Sequence, residues 1–104
     1  MAKLIQIRKS WIETKKFIAI FEVDGKRKTI HFGAKGYSDY TIHKDKERRA
    51  RYRIRHKNDP INNPLTAGSL SWWILWGNST SIKKCVTLFK KKFKIKGTTT
   101  IVLQ

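Results

Sequence analysis

Between Lys44 and Lys57 the sequence KDKERRARYRIRHK places eight Lys or Arg in fourteen residues. Five are arginines, Arg48, Arg49, Arg51, Arg53 and Arg55, and Lys57 closes the block. A guanidinium is a planar fork of donors that fits phosphate or carboxylate two bonds at a time, a geometry that solubility alone does not require. The chemistry available to this block is therefore the holding of a polyanion or an acidic protein surface, with little capacity to read a base sequence. A second basic set, Lys83, Lys84, Lys90 and Lys91, lies nearer the C-terminus.

The groups that could catalyse a reaction are few and poorly placed for one. His31, His43 and His56 are spaced by twelve and thirteen residues, and only His43 has a carboxylate close in sequence, Asp45. That is too small a ligand set for a metal. Asp39, Asp45 and Glu47 suit turns and helix caps better than a general acid–base pair. Cys85 falls on an apolar stripe and acts as a small buried hydrophobe. The segment AKG (34–36) lacks the spacing of a phosphate loop. The expectation is a non-enzymatic protein without metal or cofactor. Trp72, Trp73 and Trp76 stand apart: they are core residues or anchors of a protein interface, where Trp and Arg are enriched.

The net charge of +17, from 24 Lys+Arg against 7 Asp+Glu, points the same way. Self-repulsion on this scale disfavours the compact state unless anions are present. Residues 60–104 carry seven Lys and no Asp or Glu. With 39% hydrophobic and 12% aromatic residues, the 104-residue chain has enough apolar material for one modest core and one domain, 1–104. One cysteine excludes an intrachain disulfide and fits a reducing compartment. The start, MAKLIQIRKS, lacks the apolar run of a signal peptide. The longest apolar run, WWILW (72–76), is far short of the ~18 residues of a membrane span.

The elements that must position the basic residues follow from periodicity. KLIQIR (3–8) and FIAIFEV (17–23) have strand character, the second apolar on both faces as in a central strand. Asp24-Gly25 is a two-residue hairpin signal, and KTIHF (28–32) returns. This turn sets Val23 against Lys26, Glu22 against Arg27, Ala19 against Ile30 and Phe17 against Phe32. Residues 33–43 are expected to form a loop. The block 44–57 fits two templates. RARYRIR (49–55) alternates as a strand does, but good helix formers and the early acids Asp45 and Glu47 favour a helix capped near Thr41 or His43. Its inward face would be Glu47, Ala50 and Ile54, with Arg51 beside it. Pro and Asn in 58–69 end that helix. SLSWWILW (69–76) is a short helix capped by Thr66 or Ser69 and stopped by Gly77. Ile82, Cys85, Val86, Phe89 and Phe93 mark an amphipathic helix that Gly97 would end. TTTIVL (98–103) adds a strand at an edge or in the centre. The predicted fold is α+β, a small antiparallel sheet made of the hairpin 17–32 plus terminal strands, packed with two to three helices.

HFGAKGYSDYTIHKDKERRARYRIRHKND (31–59), followed by LTAGSLSWWILWGNSTSIKKCVTLFKKKF (65–93), resembles a family of short basic proteins of large nucleocytoplasmic DNA viruses of algae and amoebae. The shared pattern is FGxxGYSDYTIHKDxERRxRYxxRH followed by LTAGxLSxWILW, and with the preceding hairpin it spans roughly residues 15–93. No catalytic motif comes with it. The resemblance implies a viral setting: the particle, and the host cytoplasm during assembly. The expected function is a structural protein of the virion, a minor capsid or internal cementing component whose basic faces meet acidic neighbours in the capsid shell or the genome. The alternative is a low-specificity nucleic-acid-binding protein of infection or genome packaging.

Overall fold

A computed structural model describes residues 2–103. Strands β1 (Ala2–Lys9), β2 (Lys15–Val23) and β3 (Lys26–Ala34) are followed by helices α1 (Tyr40–His43) and α2 (Lys46–Arg55). Next come α3 (Ala67–Leu70), a π-helical turn (Ser71–Leu75), α4 (Ile82–Phe93) and a short strand β4 (Thr100–Val102). The sheet order is β3-β2-β1-β4. The chain is an α+β domain whose sheet is mostly antiparallel.

The hairpin forms in the expected register. Asp24 and Gly25 take φ of 52° and 79°, as a type I′ turn demands. Val23 pairs with Lys26, Glu22 with Arg27, Ala19 with Ile30 and Phe17 with Phe32. β2 is central, and Ile18 and Ala19, on its opposite faces, are both fully buried. In β1 the pairing skips Ile5, a bulge that lets Leu4 and Ile7 be fully buried although their spacing of three would otherwise put them on opposite faces. β4 departs from the expected antiparallel sheet. It runs parallel to β1 at the edge, Ile101 beside Ile7, because the chain returns from α4 to the far side of β1.

α3 packs on β3, and α4 packs on the π turn. Their apolar side chains meet Leu4, Ala19, Phe21 and Phe32 in one core with Leu70, Ile74, Val86 and Phe89. Phe17, Ile30, Trp73 and Phe93 are half-buried against it. α4 begins at Ser81, whose hydroxyl accepts from Lys84 N–H. It ends at Lys94 in the left-handed region (φ 53°), three residues before Gly97.

Candidate anion-binding site

The predicted loop 33–43 contains a helical turn. Asp39 caps α1 by accepting from the Thr41 N–H (2.9 Å) and the Thr41 hydroxyl, and it takes a salt bridge from Lys16 Nζ at 2.6 Å. α2 is a helix, not a strand, and its cap is Asp45 rather than Thr41 or His43. The Asp45 carboxylate accepts from the Glu47 and Arg48 N–H groups. The Arg48 N–H bond, first, holds the Asp45 carboxyl below its usual pKa.

α2 turns a different face inward from the one its apolar residues suggest. Glu47, Ala50 and Ile54 are exposed, Ile54 at 68%. Roughly half a turn away, Arg49, Tyr52, Arg53 and His56 face the molecule. The reason lies in the π turn. Trp76 N–H reaches back to Ser71 O (3.0 Å), and the turn ends on the carbonyls of Trp76 and Gly77 without helical partners. Arg49 Nε donates to both, at 3.2 and 2.7 Å, and Arg53 donates to Trp76 O at 2.8 Å. The Arg53 guanidinium also lies 4.2 Å from the centre of the Trp72 ring. Burial, then the neighbouring Arg49 charge, pulls the Arg53 guanidinium below its ordinary value. Tyr52 stacks flat on Trp76, with centroids 4.2 Å apart and planes 4° from parallel, and burial pushes its phenol up to about 12. Two half-buried arginines and a buried tyrosine thus outweigh one isoleucine.

The remaining arginines of the helix, Arg48, Arg51 and Arg55, follow at spacings of three and four, so they form one stripe. All three are exposed and line one cleft of about 520 Å³. Lys15, Lys16 and Ala34 at the end of the β2–β3 hairpin form its far wall, with Tyr37 at the rim. Two carboxylates lie in the cleft: Asp39 holds Lys16, and Asp59 lies 2.9 Å from His56 Nδ1. The three arginines and Lys15 have no ion-pair partner among the described residues. The arrangement is a concave cationic surface that offers guanidinium forks to an anion.

The other expected site residues are dispersed. Lys57 is exposed beyond α2. Lys83, Lys84 and Lys91 are exposed on α4, away from the cleft lining, and Lys90 Nζ donates to Gly97 O. Trp72 and Trp76 belong to the core, at 7% and 9% exposure, and offer little surface to a partner. Trp73 is half-buried, its indole N–H donating to Ile61 O at 2.7 Å. Lys15, Lys16 and Tyr37 could not be singled out from sequence, because strand ends and a loop join the cleft only in three dimensions. Among the described residues no three His, Cys, Asp or Glu side chains gather as a metal site would need. No helix among them is long and apolar enough to cross a membrane.

No curated protein and no solved structure matches the chain. A family model described as a family of unknown function (DUF5754) matches residues 5–56, half of the chain. The match runs from β1 through α2 and so takes in both the hairpin wall of the cleft and its arginine stripe. The chain belongs to this family of unknown function, DUF5754.

Proposed function

We propose that the chain is a non-enzymatic nucleic-acid-binding domain that grips phosphates with low sequence specificity. The observation that carries this reading is the sorting of the α2 arginines. Arg49 and Arg53 serve the fold, while Arg48, Arg51 and Arg55 line a cleft and form no ion pair among the described residues. Replacing these three together by Gln removes up to three phosphate contacts. The slope of log affinity against log salt should flatten by about 2 to 3 for DNA, at ~0.7–0.9 per phosphate. A triple variant that keeps the wild-type affinity and slope would overturn the reading.

A second reading is a structural role in a large DNA virus particle, as a minor capsid or internal cementing protein. The resemblance over residues 15–93 supports it, and so does the exposed Ile54 beside the arginine stripe, since apolar and guanidinium groups together suit a protein neighbour. Here the triple variant would bind nucleic acid normally but fail to enter particles. Finding the protein only in infected cytoplasm, never in purified particles, would sink this reading.

A further inference from the structure

The arginine cleft does not end at the hairpin. A second recess of about 210 Å³ opens on the other side of Lys15 and Lys16, which line both hollows. Lys9 and Lys35 supply its charge, and both are exposed. Lys35 is held there by its own backbone, whose N–H donates to Thr14 O at 3.0 Å. Cationic side chains therefore continue from α2 across the hairpin end to the last residue of β1. Tyr37 lines the cleft beside Lys15 and Lys16, 72% exposed, with no ring or side-chain hydrogen-bond partner among the described residues. The aromatic rings deeper in the cleft are different: Tyr52 has His56 on one side and Trp76 on the other, so it has no free face.

We infer that cleft and recess form one track for a single nucleic-acid strand, with an unpaired base laid on the Tyr37 ring. This rests on the phosphate-binding reading of the α2 arginines and specifies its ligand. A line of cations follows a backbone, and a free aromatic face beside it takes bases whatever their identity, because every base has a π face. A duplex keeps its bases stacked inside and offers none to Tyr37.

The test uses the full chain and fluorescence anisotropy with three labelled probes of equal length: oligothymidylate, an abasic strand and a duplex. Oligothymidylate should bind at least about five-fold more tightly than the abasic strand, the lower bound for one stacked base. Tyr37→Ala should abolish that difference, and Tyr37→Phe should preserve it. Lys9→Gln with Lys35→Gln should reduce the salt slope on oligothymidylate by about 1.4, at ~0.7 per phosphate of a single strand. Equal affinity for the abasic and thymidylate strands, or an unchanged slope in the lysine pair, overturns the track. If strand and duplex bind alike and both depend on Arg48, Arg51 and Arg55, the track falls and the phosphate reading stands. If neither binds even at low salt, or an acidic polyglutamate of equal charge binds more tightly than both, the phosphate reading falls with it.

Discussion

Replacing Arg53 by Ala should destabilise the protein severely, whereas replacing Arg51, two residues earlier on the same helix, should not. The two substitutions change the net charge equally, so relief of general repulsion cancels between them. Arg53 donates to Trp76 O at 2.8 Å and covers the Trp72 ring at 4.2 Å. A hydrogen bond from a charged donor contributes ~1.5–3 kcal/mol. The lower end applies, because Trp76 O keeps a bond from Arg49 Nε. The cation–π contact adds ~0.5–1 kcal/mol for a half-buried site. The expected loss is about 2–3 kcal/mol, which for a domain of this size lowers Tm by roughly 10–20 °C. Arg51 is exposed and has no such partner, so its loss should lie within about 0.5 kcal/mol. Urea denaturation of both variants at fixed salt, without nucleic acid, measures the difference. The same variants titrated with oligonucleotide should reverse their order, with Arg51→Ala flattening the salt slope and Arg53→Ala leaving it intact. Equal stability of the two, or equal effects on the slope, would refute the division of the helix into a structural and a binding side.

Stability should fall on acidification below about pH 6.5, an effect that His43→Asn should blunt. Burial, then Arg48, lowers the His43 pKa from 6.5, so below that value the unfolded chain binds the proton that the folded imidazole refuses; its Nδ1 accepts from Asp45 N–H at 2.8 Å, a bond that protonation would break. Asp45, also held low, loses its contribution only below its ordinary 3.8, so urea midpoints at several pH values separate the two groups. Gly77→Ala should cost more than about 1 kcal/mol in the same assay, since its Cβ would stand 2.2 Å from Trp73 O, where only backbone could move. An unchanged midpoint would mean that the π turn relaxes freely.

The hairpin was legible because its register depends on local chemistry. Asp24-Gly25 dictates a tight turn, and once the turn is set, Phe17 must oppose Phe32. The cap at Thr66, one of the two residues the sequence offers for that helix, was legible for the same reason, being a side-chain bond to the next turn. The inward face of α2 was not. Apolar periodicity selected Ile54, but the neighbouring element presents unpaired carbonyls and a Trp ring, which arginine and tyrosine satisfy and isoleucine does not. The need for those donors comes from the π turn, which leaves no mark in the periodicity of α2. The end of α4 was misplaced because Lys94 accepts the left-handed conformation that Gly97 advertises. The cleft was half legible. Its arginines could be named from the sequence, but Lys15, Lys16 and Tyr37 reach it from a strand end and a loop that only the sheet topology brings together.

The stripe of Arg48, Arg51 and Arg55 is a liability for the folded chain on its own. Like charges three and four residues apart on a helix each cost a few tenths of a kcal/mol. Among the described residues no nearby acid forms an ion pair with them: Asp39 holds Lys16, Asp45 caps α2, Asp59 lies against His56, and Glu47 is exposed on the same helix without a salt bridge. On the phosphate-binding reading, guanidinium groups kept together at a concave surface without an ion pair among the described residues leave the counter-charge to an outside anion. Such an anion would bind the folded state more tightly, because the unfolded chain does not assemble the stripe with the hairpin lysines. Occupancy at about a hundred times Kd would then add at most ~2.7 kcal/mol to stability, comparable to what Arg53 contributes from within. On that reading the arginines of one short helix act in opposite senses: Arg49 and Arg53 hold the fold without a ligand, and the other three would make it more stable with one.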